Sequence, residues 1–349
     1  MPISTINSTT NYIRRIQTED GAIPWFEGGI VDPWDHVEAA MGLTVGGAWS
    51  EARKAYRWLA YHQKPAGYWL AAYRGGAIVD GTRAETNFVA YFATGVWHYY
   101  LVTQDKAFLK EMWPTVMLAM DFVLLLQSPH GEIFWALDTR TGINRDALIT
   151  GCSSIYKSLE CTINIAHTLN LPTQRWADAR TRLGEALRHK PERFDRSWAS
   201  KSRYSMDWFY PVLTGVIEGS QAVERLDQRW SEFVEDQLGC RCVADEPWVT
   251  VAETCELTMA LVATKQLDKA QNLFAWIAQF QAPDGSWWTG YAIKDKVLWP
   301  DERPTWTAGS IILAADALAK KTKANKLFTS VNLASEKQIE SKLAMVDSA

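Results

Sequence analysis

Four times along the chain a glutamine is followed four residues later by a glycine and then by a tryptophan. The copies run from Gln17 through Gly21 to Trp25, Gln63 through Gly67 to Trp69, Gln127 through Gly131 to Trp135, and Gln281 through Gly285 to Trp287. A degenerate fifth copy runs from Gln237 through Gly239 to Trp248. Self-similarity at intervals of roughly 50 residues marks stacked supersecondary units. Glycine suits the left-handed turn that ends a helix, and the proline inside three of the copies cannot continue one.

Before each mark runs a helical pattern, as in 48–62 and 115–126, with apolar residues at i, i+3, i+4 and i+7. After it come a loop and a second helix, as in 88–102 and 256–263, with few charges and many small residues. Such a helix is buried on most sides. The pattern predicts an inner set of helices starting near Pro33, Glu85, Thr150, Ser205, Val251 and Thr305. The outer set covers about 48–62, 105–126, 173–189, 220–237 and 266–280, and a helix over about 5–17 closes the ring beside 305–320. The expected fold is all-α: six hairpins in a closed toroid, an (α/α)6 barrel with inner and outer rings. Residues 1–320 form one domain in this reading, and the Lys- and Ser-rich stretch 321–349 a loose surface tail. A chain of 349 residues is long enough to bury so large a core.

Loop lengths break the symmetry. Inner-to-outer connections are minimal, whereas the outer-to-inner ones, 64–84, 128–148, 190–204, 238–249 and 282–303, are long. All the long loops therefore gather at one end, around the N-termini of the inner helices, and long loops on a rigid scaffold usually carry function.

Composition removes several classes. Lys+Arg is 36 against Asp+Glu 40, with no basic stripe for nucleic acid and no polybasic run for a membrane surface. No apolar stretch reaches the about 20 residues that span a bilayer, and the N-terminus lacks a signal-peptide core, so a cytoplasmic protein is expected. Cys152, Cys161, Cys240, Cys242 and Cys255 lack Cys-x-x-Cys spacing, and Cys240-Arg-Cys242 is too tight for a zinc ribbon. Reduced thiols, no metal and no cofactor are expected. Oligomeric state is left open.

The Gln-x-x-x-Gly-x-Trp mark resembles the QW motif of squalene and terpene cyclases and of protein prenyltransferase β-subunits, which are α-toroids too. Neither Asp-x-Asp-Asp nor Asp-Asp-x-x-Asp occurs, so terpenoid chemistry lacks its carrier. The whole layout is similar to the six-hairpin glycosidases, with aromatic mouth loops and carboxylates at inner-helix starts. The segments Asp32-Pro33-Trp34-Asp35 and Asp245-Glu246-Pro247-Trp248 resemble, more narrowly, bacterial hydrolases of methylated mannose polysaccharides. An epimerase on this scaffold would want paired histidines at the mouth, where only His36 falls.

Glycoside hydrolysis needs two carboxyl groups flanking one bond, one protonated and one acting as base or nucleophile. Thr82-Arg-Ala-Glu85 and Thr250-Val-Ala-Glu253 both fit the capping box, which would commit each glutamate to its own helix start. Asp32-Pro33-Trp34-Asp35 reads as N-cap, proline at N1 and an acid at N3. Glu246 has no helical duty, and Trp248 offers a wall against which burial would raise a carboxyl pKa. The reading is therefore Glu246 as general acid, Asp32 as general base held ionised by its helix dipole, and Asp35 orienting Asp32 or the water, with inversion; swapped roles, or Glu253 in place of Glu246, are the nearest rivals.

Indole faces pack on the C–H faces of sugars. Among the chain's 18 tryptophans, Trp208, Trp248, Trp288 and Trp306, with Tyr291, are the candidate substrate contacts, beside Glu85, Lys157, Asp207 and Glu253. Asp207 is expected to face Asp32 and Asp35 across the cup, while Trp69 and Trp135 are expected to brace the hairpins. The expected partner is an oligosaccharide or polysaccharide, with an α-linked mannoside or glucoside in view. The alternatives are a terpenoid or prenyl enzyme with a nearly apolar cup, and a non-catalytic carbohydrate-binding toroid.

Overall fold

The computed structural model describes residues 3–333. Six inner helices, α2 (Pro33–Val45), α4 (Thr86–Thr103), α6 (Ile149–Thr168), α8 (Ser205–Leu213), α11 (Val251–Ala263) and α13 (Thr305–Ala319), each pack on the next, and α13 returns to α2. Around them lie α3 (Trp49–His62), α5 (Lys106–Leu125), α7 (Gln174–His189), α9 (Gly219–Gln228) with the short α10 (Trp230–Phe233), and α12 (Leu267–Trp276). The first helix, α1 (Ile3–Ile16), packs on α13 and completes the outer ring. The fold is an (α/α)6 barrel.

Burial follows the charge pattern. In α2 every residue but Asp35 is buried, and α6 is buried from Gly151 to Ala166. Small residues set how closely the ring closes: a Cβ on Gly42 would lie 2.9 Å from Gly309 Cα, and one on Gly309 2.7 Å from the Glu38 carbonyl.

The repeated mark acts as a clamp between outer helices. Gln63 Nε2 donates to the Gly67 carbonyl and to the Thr115 carbonyl on α5, both at 3.0 Å. Gln17 makes the same pair with Gly21 and Glu51 on α3, and Gln127 with Gly131 and Ala179 on α7. In each mark the glycine has positive φ and presses on the neighbouring helix. A Cβ on Gly67 would meet the Leu118 carbonyl at 2.1 Å, and one on Gly285 the Ser8 carbonyl of α1 at 2.4 Å. The degenerate copy does not clamp this way: Gly239 lies in a strand and presses on Thr254 of an inner helix.

The long loops all rise at the N-terminal end of the inner ring, and there they form small antiparallel sheets that the helical reading does not anticipate. β1 (Ala72–Arg74) pairs with β2 (Ala77–Asp80), and β3 (Arg83–Glu85), β4 (Ala136–Asp138) and β5 (Gly142–Asn144) pair in that order. A five-stranded sheet joins β6 (Val234–Glu235), β7 (Gly239–Arg241), β8 (Trp248–Thr250), β9 (Gly290–Ala292) and β10 (Val297–Leu298). Strands of two to four residues are too short to show period-2 alternation. Two of them matter for the site, because β3 runs directly into α4 and β8 directly into α11.

At the opposite end, residues 321–333 are not a surface tail. Leu327 and Phe328 are buried, Lys157 Nζ donates to the Ser330 carbonyl at 3.1 Å, and Asn332 N donates to Glu160 at 3.0 Å. Two apolar side chains and a buried acceptor outweigh the solubility suggested by the lysines. Residues 334–349 lie outside the described residues.

Candidate active site

The ring opens into the cup at the first turns of the inner helices. The half-buried residues of those first turns are Asp35 on α2, Asn87 and Phe88 on α4, Ile149 and Thr150 on α6, Met206 on α8, Glu253 on α11 and Trp306 on α13. Only two of them carry an ionisable group, Asp35 and Glu253.

Asp35 is built into a carboxyl pair. Asp32 caps α2, accepting the Asp35 amide at 2.9 Å on one oxygen and Trp25 Nε1 at 2.6 Å on the other. Burial, then the charge of Asp32 and a hydrogen bond to it, hold the Asp35 carboxyl well above the usual carboxylate range, so it keeps its proton. One oxygen of Asp32, the expected base, is thus engaged in holding Asp35 and the other in taking the Trp25 indole N–H. Glu85 joins this corner, taking Arg83 Nε at 2.7 Å and Trp135 Nε1 at 3.2 Å, and burial with the nearby Asp32 charge raises it against the pull of Arg83.

On α11 the capping box does not form. Thr250 occupies the N-cap position without making a side-chain cap, and neither Thr250 Oγ1 nor Glu253 Oε2 has a hydrogen-bond partner among the described residues. The Thr82–Glu85 box is absent too, since α4 begins at Thr86 and Thr82 turns to Asp80. A carboxylate oxygen left buried and unpaired is costly unless a ligand meets it.

Below each acid lies another, one turn down at i+3 on the same face. Glu38 accepts from Tyr91 Oη at 2.5 Å and is pushed up to about 7 by burial. Glu256 accepts from Tyr210 Oη, and burial with the Glu38 charge raises it well above its ordinary value. Trp34 stacks on Tyr91 with ring centroids 4.2 Å apart and lies 6.3 Å from Tyr210 on the opposite helix, so an aromatic floor spans the ring. A cavity of roughly 10 Å³, room for about one water, separates these floor acids from Phe328. Sequence reasoning passed over Glu38, Glu256, Tyr91 and Tyr210. The available signal was a glutamate inside helices otherwise nearly free of charge.

Other expected site residues fall elsewhere. Glu246 is 59% exposed, with Arg203 3.7 Å away, so the apolar burial expected from Trp248 is not there. Lys157 lies two turns down α6, buried in an ion pair with Glu160 that Arg180 shares, beneath the cup rather than in it. Trp208 is buried, bonded to the Arg225 carbonyl and stacked on Phe233, facing the outer helices. Asp207 is also buried. Its charged neighbours are Asp195, Arg225 and Arg229 rather than Asp32 and Asp35, and burial followed by the Asp195 charge raises it to about 6. Trp248, Trp288 and Tyr291 are half-buried in the mouth loops, and Trp306 keeps a buried indole N–H without a partner among the described residues. Trp69 is core, as expected, whereas Trp135 reaches Glu85. His36 is fully buried between the Ile23 amide and the Ala55 carbonyl, which removes the one histidine an epimerase could have used at the mouth.

The MMP endo-(1,4)-3-O-methyl-alpha-D-mannosidase of Mycolicibacterium hassiacum is 47% identical over 325 residues, covering 93% of this chain and 89% of that protein. This chain belongs to the same family of glycoside hydrolases. No family model matches it. Among solved structures, the GH63 mannosylglycerate hydrolase from Thermus thermophilus in complex with glucose superposes with a TM-score of 0.69 at 13% identity, over 87% of this chain and 98% of that one. A sugar epimerase from a ruminal bacterium superposes at 0.68 and 12% identity, over 95% and 100%. Likeness at this identity is one of fold, and the (α/α)6 barrel serves both reactions. The family glycosidase and a cup lined by acids as well as aromatics both point away from a terpenoid enzyme. No helix among the described residues is long and apolar enough to cross a membrane.

Proposed function

We propose that the protein cleaves an α-linked, O-methylated mannose polysaccharide within its chain and with inversion, Asp35 acting as general acid and Glu253 as general base. The observation that carries this is the placement of the two ionisable first-turn side chains on α2 and α11, with one inner helix, α13, between them. Neighbouring helix axes lie about 9 Å apart, so axes two places apart in a hexagonal ring are roughly 16 Å apart. Side chains reaching inward from both leave a gap of the size that admits an attacking water, about 6.5–9.5 Å in inverting enzymes.

The roles follow from the surroundings. Asp35 is kept protonated by burial beside Asp32, so it can protonate the leaving glycosidic oxygen, and Asp32 fixes its position. Glu253 has an oxygen with no partner to give up and can take a proton from water on the other face of the sugar ring. The substrate class rests on the 47% identical mannosidase. An aromatic floor suits a methyl ether, which offers apolar surface where an unmodified sugar offers a hydroxyl. Five free thiols, four of them buried, support a reducing, cytoplasmic setting.

The test is hydrolysis of α-1,4-linked 3-O-methylmannose oligosaccharides, with product anomers followed by NMR. Asp35→Asn and Glu253→Gln are each expected to lower kcat by about 10³-fold or more, while Glu246→Gln retains turnover. A retained anomer would refute inversion, and near-normal turnover in either of the first two variants would remove that residue from its role.

A further inference from the structure

The five-stranded sheet carries an aromatic surface that the cup does not use. Trp248 on β8 lies across β9 at Gly290, where a Cβ would come within 2.6 Å of its indole nitrogen. The indole N–H donates to the Trp299 carbonyl at 3.1 Å, and Trp299 N donates back to the Gly290 carbonyl at 2.9 Å. The two rings meet edge to face, with centroids 5.0 Å apart and planes at 78°. Yet the pair is not a core. Trp299 is 51% exposed, and Val297 and Leu298 before it are 47% and 38% exposed.

Packing alone accounts poorly for this. A tryptophan recruited to cover a sheet would be buried by what it covers, whereas here a glycine and two hydrogen bonds, one from the Trp248 indole and one from the Trp299 backbone amide, hold an indole pair at the surface. Capping the Trp248 N–H internally leaves ring faces with no polar demand of their own, which is what the C–H face of a sugar requires. The platform is also continuous with the active site, since β8 passes from Trp248 through Thr250 into α11, whose third residue is Glu253.

We infer that Trp248 and Trp299 form a distal subsite that stacks a sugar residue of the polysaccharide outside the cup, several units from the bond being cleaved. The inference rests on the proposed substrate. An enzyme cutting within a chain must hold residues on both sides of the cleavage point, and methyl ethers add apolar area to each stacked ring. The platform makes binding depend on chain length and leaves the chemical step to Asp35 and Glu253.

The experiment measures kcat and KM for α-1,4-linked 3-O-methylmannose oligosaccharides of increasing length with the full chain, its Trp299→Ala variant and its Trp299→Tyr variant. For the unaltered protein kcat/KM rises with length. In Trp299→Ala the ratio of kcat/KM on long against short chains falls by about tenfold, through KM, and Trp299→Tyr, which keeps a flat ring, recovers most of it. An unchanged length dependence in Trp299→Ala overturns the platform while leaving the proposed function standing. No cleavage of any oligomer by the unaltered protein removes the substrate reading and the platform with it.

Discussion

Glu38 offers a direct measure of how dry the cup floor is. It is 5% exposed, and its pKa is raised from 4.5 to about 7, chiefly by burial, against the small opposing pull of the Tyr91 hydroxyl. The folded protein therefore holds this proton more tightly than the unfolded chain does. The stability that goes with it is complete below about pH 4.5 and is lost as pH rises through about 7, where the native state must carry a buried carboxylate. Ionising it costs about 3 kcal/mol across that interval. Glu38→Gln keeps the shape, can still accept from Tyr91 through Oε1, and cannot ionise. With an unfolding entropy of about 0.7 kcal/mol/K for a chain of this length, the melting temperature of the variant relative to the unaltered protein should rise by about 4 °C between about pH 5 and about pH 8.5. Thermal melts followed by circular dichroism at the two pH values give the number. Parallel pH dependence in the two proteins would mean that Glu38 is hydrated, and the argument for a dry floor would fail.

Two further predictions test the frame. Gly67→Ala puts a methyl group against the Leu118 carbonyl at a positive φ and should cost about 3 kcal/mol or more, whereas Gly28→Ala, with positive φ but open space, should cost only about 1 kcal/mol; equal melting temperatures would dismiss the clamp. Trp208→Ala should lose about 3–5 kcal/mol of stability with KM unchanged, and a raised KM without lost stability would return Trp208 to the cup.

The barrel was legible because its signals are long-range repeats. Inner helices begin at Pro33, Ser205, Val251 and Thr305 as expected, and at Thr86 and Ile149 one residue from expectation. The site was legible only in part. Asp32 and Asp35 lie on a helix start whose cap is written in the sequence, and the structure forms that cap. Glu253 ranks behind Glu246 in the sequence because Thr250 fits a capping box, but that cap does not form, and the cap position is reached from a strand, β8, that no local pattern announces. Glu246 shows the converse: its freedom from helical duty is not availability in the cup but exposure beside Arg203. Residue spacing fixes which side chains share a helix face, as with Asp35 and Glu38, but not which face a mouth loop turns toward water.

The segment that ends at Asn332 crosses under the ring from α13 to α6, the helix opposite. That strut orders events in time. The inner ring cannot close until α13 has been made and laid against α2, more than 250 residues upstream. The buried Lys157–Glu160 pair cannot be fully satisfied until the Ser330 carbonyl arrives to accept from Lys157 and the Asn332 amide to donate to Glu160. Contacts of such long sequence separation form late and slowly. During synthesis the nascent chain therefore carries an open arc of hairpins with unpaired inner faces, and a ribosome stalled anywhere before the strut leaves a species that exposes its floor acids and its apolar seams together.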